Sequence, residues 1–252
     1  MKNTDQPTPF LAFRRFNDPE LQHLCRLRAR IGTRASDFFS GDGLPDRLVR
    51  ALAARRALPI KEVFESFEFF ERVRRRMRAP HLADLCCGHG LTGMLFAIFS
   101  RQVEHVTLVD RRRPSSHSLI FEACVEVAPW IKDRVHYLEK PISEAVSELP
   151  QGTSVIAVHA CGKRTDACME IGIQLQGKLA VMPCCYFGMG QQIPQAVVEG
   201  IGRELATDVH RSYALERAGY KVHWSAIPAA ITPKRRILIG LPGKKAPAIL
   251  TS

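Results

Sequence analysis

The chain has 252 residues, 46% of them apolar, enough for one large core or a core with a helical extension. No run of eighteen apolar residues occurs and the opening MKNTDQPTPF lacks an apolar signal region, so no membrane helix or secretory leader is expected and a soluble, cytoplasmic protein is predicted. The net charge is +11, with 17 Lys/Arg against 10 Asp/Glu in residues 1–80, which fits an RNA or DNA partner as well as it fits a solvated helical surface.

Residues 1–79 read as a basic helical segment. In LPDRLVRALAARRAL, Leu44, Leu48, Val49 and Leu52 recur at helical spacing. The pattern repeats from Pro59, a first-turn residue, through Val63, Phe67, Phe70, Val73 and Met77. Arg72, Arg74, Arg75, Arg76 and Arg78 then sit where a helix end favours cations, or where a phosphate backbone could be tracked.

From residue 80 to 252 the rhythm is that of an α/β domain. Strands are predicted at 81–86, 105–109, 134–138, 154–159 and 179–183, with helices at 91–101, 116–128, 141–148 and 164–175 between them. One longer helix is predicted over 194–218. YKVHWSAIP and RRILIGLPG follow, separated by too short a loop for a crossover, so they should pair as an antiparallel hairpin. The expected fold is Rossmann-like: five parallel strands closed by that hairpin, behind the N-terminal helical segment.

Between the first strand and its helix lies DLCCGHGLTG, Asp84–Gly93. From Gly88 it reads G-x-G-x-x-G, a dinucleotide signature; from Asp84 it reads D-x-x-x-G-x-G, the pattern of S-adenosylmethionine (SAM) enzymes. Gly88 and Gly90 permit a tight turn, and the helix beyond aims its free N–H groups at an anion, either a pyrophosphate or a methionine carboxylate. Asp110, at the end of HVTLVD, is placed to accept both ribose hydroxyls of either cofactor. Asp84 and the paired cysteines before the glycines, the closing hairpin and the short chain after residue 180 favour SAM over NAD. Gly93 is then a position of close helix–sheet packing, and Glu139, at the third strand's end, is a candidate acceptor for the adenine amino group.

The ends of the fourth and fifth strands carry VHACGKRTD and VMPCCY. With Asp84–Gly90 they give three motifs, DLCCGxG, HxCGxxTD and PCC. The segment over roughly residues 80–190 resembles the class I methyltransferase family that includes the eukaryotic tRNA 2′-O-methyltransferase of the acceptor stem. The resemblance implies SAM as cofactor, a methyltransferase activity and an RNA acceptor, with Asp84, Cys86, Gly88, Gly90, Asp110 and Glu139 at the cofactor. Two departures stand out: no cysteine/histidine zinc module is present outside the domain, and Tyr186 follows the cysteine pair where the tRNA enzymes carry a histidine.

Methyl transfer to oxygen or nitrogen asks the protein to align an acceptor and remove its proton. His159 is the candidate base, with a core histidine as the bland alternative. Asp166 would orient it or touch substrate, and Tyr186 would stack on a base or polarise a hydroxyl. Cys161 and Cys184 stand where cytosine-5 RNA methyltransferases place their cysteines, but no acidic residue precedes Cys161 as those enzymes require. The eight cysteines are expected as reduced thiols. His159, Cys161, Cys184 and Cys185 are a conceivable metal set, yet there is no C-x-x-C and adjacent cysteines seldom share an ion, so no metal is expected. Cys86 and Cys168 read most simply as small buried hydrophobes. A small-molecule or protein methyltransferase, or a non-catalytic module that binds SAM or RNA on the same fold, would share these features.

Overall fold

A computed structural model describes residues 7–158, 160–186 and 193–243. Seven strands form one sheet in the order β3-β2-β1-β4-β5-β7-β6. They are β1 His81–Leu85, β2 His105–Asp110, β3 Val135–Glu139, β4 Ser154–Val158, β5 Leu179–Met182, β6 Tyr220–Ala226 and β7 Arg236–Pro242. β1 to β5 are parallel, β7 runs antiparallel to β5, and β6 pairs antiparallel with β7. The expected architecture is the one the chain builds. β4 and β5 are buried throughout, which is why SVIAV and LAVM read as unbroken apolar runs, whereas β3 at the sheet edge is fully buried only at Val135.

Side chains alternate between the two faces of each strand. Leu82, Ile156 and Val158 join the cluster on one face; Ala83, Leu85, Val155 and Ala157 join the other. The first face is covered by α4 (Leu91–Phe99) and α5 (Ser116–Val127), with α2 (Leu44–Ala54) against α5 and α3 (Ile60–Val73) against α4. The second is covered by α6 (Ile142–Ala145), α7 (Lys163–Gln174) and α9 (Arg203–Arg217).

The N-terminal residues depart from a run of regular helices. Arg14–Asn17 and Pro19–Arg26 are 3-10 turns, and α1 (Thr33–Ser36) is a single turn. They are held by aromatic packing: Phe64 of α3 meets Phe10, Phe13, Phe16 and Phe39 at ring separations of 4.6–6.1 Å. These rings share one continuous cluster with α4, α5 and a face of the sheet. Buried Glu68 reinforces the docking by accepting from the Leu11 and Ala12 N–H groups, both at 2.9 Å. Arg72 pairs with Glu68 and also donates to the carbonyls of Pro9 and Ala226. One member of the arginine cluster is therefore structural.

The long helix predicted over 194–218 is two. α8 (Gln195–Ile201) and α9 are separated at Gly202, whose φ of +78° a helix cannot continue through.

Candidate functional site

The turn after β1 is braced from several sides. Gly90, at φ +81°, caps α4, and a side chain there would meet Leu108 at 2.5 Å. The Gly88 N–H donates to Asp110 Oδ2 at 2.9 Å, tying the turn to the end of β2. The Tyr137 hydroxyl donates to the Gly88 carbonyl at 2.9 Å, and the His117 ring N–H to the His89 carbonyl at 3.1 Å. His89 Nδ1 accepts from the Leu91 N–H at 3.1 Å, which puts the ring proton on Nε2, 3.0 Å from Glu62 Oε2. A site whose geometry is fixed before the ligand arrives loses less entropy on binding.

Asp84 supports this turn from beneath. Only 2% exposed, it faces α4 and accepts from the Gly93 N–H at 2.9 Å. Burial pushes its carboxyl up to about 8, so the group is held largely protonated at neutral pH. Its expected contact with the cofactor is replaced by a brace, since a side chain this buried cannot reach a ligand in the cleft. A Cβ at Gly93 would stand 2.5 Å from Leu108 and 3.1 Å from the Asp84 Cβ, so Gly93 is a point of close helix–sheet approach. Cys86 holds a left-handed φ of +55° and is half-buried. A hydrogen bond from the Cys168 thiol lowers its titration, while Cys168, donor and buried, is raised.

A cleft of about 610 Å³ opens over the turn, lined by Cys86, Cys87, Gly88, His89, Asp110 and Val158, with Arg28, Lys61, Glu62, Glu65 and Arg164 on its walls. The parallel register places Glu139 opposite Asp110, so two carboxylates stand side by side at the ends of β2 and β3. A nucleoside cofactor with a charged amino-acid tail suits this lining: carboxylates for hydroxyl and amino groups, Arg28 and Arg164 for a carboxylate, and a volume in the range of ligand clefts, about 300–1,000 Å³. The α3 residues and Arg28 were not legible as site residues, because nothing local to them marks a cleft.

The ends of β4 and β5 bring together a second set. Val158 pairs with Met182, so the turns that follow lie side by side. Cys161 Sγ is 3.3 Å from Cys184 Sγ and 3.6 Å from Cys185 Sγ, with 3.7 Å between the last two. Burial and the neighbouring thiols push Cys184 well above the usual thiol range. A thiol so disfavoured as the anion is a poor nucleophile without help. His159 lies outside the described residues.

Asp166 and Tyr186 are each engaged by charged partners within the fold. Asp166 accepts from Arg211 at 2.8 and 3.3 Å. Tyr186, 5% exposed, donates to Asp208 Oδ2 at 2.9 Å, and Arg236 donates to the same oxygen at 2.6 Å. The guanidiniums of Arg211 and Arg236 and the Lys234 ammonium lie 5.6–5.8 Å from the Tyr186 ring. The expected stacking role of Tyr186 is corrected here, since a ring buried among cations offers no open face to a base. Instead, α9 uses Asp208 and Arg211 to clamp the turn after β5 to α7 and β7.

Comparison with known proteins agrees with this fold. A profile of a family described as a methyltransferase domain matches residues 59–192. Comparison with curated sequences finds no match. Among solved structures, a protein from Corynebacterium glutamicum is 14% identical with a TM-score of 0.51, over 83% of this chain and 94% of that one. Cofactor-bound Rv0187 from MTB is likewise 14% identical at TM-score 0.51, over 81% and 93%. No helix among the described residues is long and apolar enough to cross a membrane. With a profile match over more than half its length and a Rossmann-like sheet shared with these solved structures, the chain belongs to the methyltransferase domain family.

Proposed function

We propose that the protein transfers a methyl group from SAM to RNA, with transfer RNA the leading candidate. SAM when bound supplies the activated methyl; the chain must hold it, orient the acceptor and take up the acceptor's proton. Asp110 and Glu139 serve the ribose and adenine, and the cations on the cleft walls serve the carboxylate. His159, next in sequence after Val158, is the proposed proton acceptor, and Cys161 and Cys184 flank the acceptor's approach.

The observation that carries the RNA reading is the arginine run beside the cofactor cleft. Arg28, Lys61 and Arg164 in the cleft are matched by Glu62, Glu65 and Asp110, so the positive excess comes from exposed Arg111, Arg112 and Arg113, which follow directly on Asp110. Arg113 lies over the Tyr137 ring at 4.7 Å. Cations around the mouth attract a polyphosphate chain toward the cleft that holds the methyl donor. By contrast, Arg74, Arg75, Arg78 and Arg101 line a separate cleft where α3 and α4 end, at the edge where β1 and β2 begin.

The test is purified protein with methyl-tritiated SAM and an extract from cells lacking its gene, resolved into RNA, protein and small-molecule fractions. Label in RNA is expected. RNA binding should weaken steeply with salt, and Arg28→Ala with Arg164→Ala should reduce the log–log slope by about 1–2, the effect of one or two phosphate contacts. Label confined to protein or small molecules, with salt-independent RNA affinity, would overturn the reading.

A further inference from the structure

The cysteine cluster has a shape that sequence spacing concealed. Three sulfurs from two turns, at 3.3, 3.6 and 3.7 Å, form a nearly equilateral triangle. A disulfide needs two sulfurs at about 2.05 Å and leaves a third without purpose. A tetrahedral zinc with Zn–S bonds of about 2.3 Å sets its sulfurs about 3.8 Å apart, so the observed triangle lies close to one face of such a site. Three sulfur ligands select a soft ion over a hard one.

We propose that Cys161, Cys184 and Cys185 bind one zinc ion through their three sulfurs. The ligand atoms already lie within 4.8 Å of one another, and Cys161 is exposed, which gives the ion a route of entry. Binding releases the three thiol protons and gathers a net charge of minus one at the ion. That charge falls beside the start of α7, where the helix dipole and the adjacent Lys163 and Arg164 offset it. The convergence follows from the β4–β5 register, which brings residues 161 and 184 together across 23 positions of sequence. The site stands at the carboxyl edge of the sheet, beside the cleft, and goes beyond the methyltransferase reading without depending on it.

The experiment is an anaerobic titration of the full-length, reduced protein with zinc chloride against a chromophoric chelator, and in parallel with cobalt chloride. One zinc per chain is expected, along with thiolate-to-cobalt charge-transfer absorption and tetrahedral visible bands. Cys161→Ser and Cys184→Ser should each weaken zinc binding by more than about 100-fold, because loss of a mere supporting partner of a ligand already costs about 10–100-fold. Thermal unfolding of the metal-free variants is the folding control, and Cys161→Ser, altering an exposed side chain, is the variant best placed to pass it. Zinc binding that survives in both variants would place any site elsewhere. A protein that takes up no zinc while reduced, yet forms a Cys161–Cys184 disulfide in air, would replace the metal site with a redox pair.

Discussion

Replacing Asp110 with alanine tests the cofactor assignment most directly. One of its oxygens already accepts the Gly88 N–H at 2.9 Å, so the carboxylate holds the turn and faces the cleft at once. A hydrogen bond to a charged group contributes about 1.5–3 kcal/mol, and two ribose hydroxyls would put the loss at about 3–6 kcal/mol. Asp110 is half-exposed, so water can stand in for the missing acceptor and the lower end applies, about 10²-fold in Kd. Asp110→Asn separates the two roles. Its amide oxygen still accepts from Gly88, the turn stays braced, and the lost charge alone should cost about tenfold. Isothermal titration with SAM measures both, with thermal unfolding as the control for the turn. Unchanged affinity in the alanine variant would refute the ribose assignment. A loss confined to the alanine variant and matched by its destabilisation, with the asparagine variant unchanged, would reassign Asp110 to bracing alone.

Gly93→Ala would press a methyl group to 2.5 Å from Leu108 and 3.1 Å from the Asp84 backbone-proximal carbon; overpacking of this kind costs about 1–3 kcal/mol, and an unchanged melting temperature would show that α4 can lift without penalty. Asp84 titrates at about 8 when folded against 3.8 ordinarily, so the fold favours its protonated form. The associated stability is complete at acid pH and is lost as pH rises from about 4 to about 8, at up to about 1.4 kcal/mol per pH unit relative to non-titrating Asp84→Asn. Urea unfolding of both proteins at several pH values measures that gap, and parallel stability curves would contradict it. Phe64→Ala should cost about 3–5 kcal/mol by emptying the centre of the N-terminal aromatic cluster, while unfolding stays a single transition because that cluster is continuous with the sheet. A separate early transition of the N-terminal residues would show the opposite.

Those features that depend on near neighbours in sequence could be read directly. Apolar runs marked β4 and β5, the short link marked the hairpin, and the glycine spacing marked the turn after β1. What could not be read arises from contacts across the fold. Asp84 stands in a motif that implies cofactor contact, yet the pleat turns it under α4. Tyr186 follows the cysteine pair as a substrate residue would, but Asp208, 22 positions on, captures its hydroxyl. His89 gives no sign in sequence that Glu62 will meet it across 27 positions. The three cysteines lack C-x-x-C spacing because sheet register, and no local turn, brings them together. Regular helical spacing also hid the break at Gly202, which a left-handed φ imposes against an otherwise continuous pattern.

The two-sided character of α3 has a practical consequence for anyone dissecting this protein. Phe64 and Phe67 on one side are sheathed by residues 10–39, while Glu62 and Glu65 on the other form a wall of the cofactor cleft. The stretch recognisable by family similarity starts at residue 59 and stops at 192, before β6 and β7. Excised along those limits, it would bare a sheath of phenylalanines on one flank and leave β5 as a raw sheet edge on the other, a combination that invites aggregation. Boundaries of ancestry and boundaries of folding diverge in this chain, and a minimal catalytic fragment has to be cut by the second.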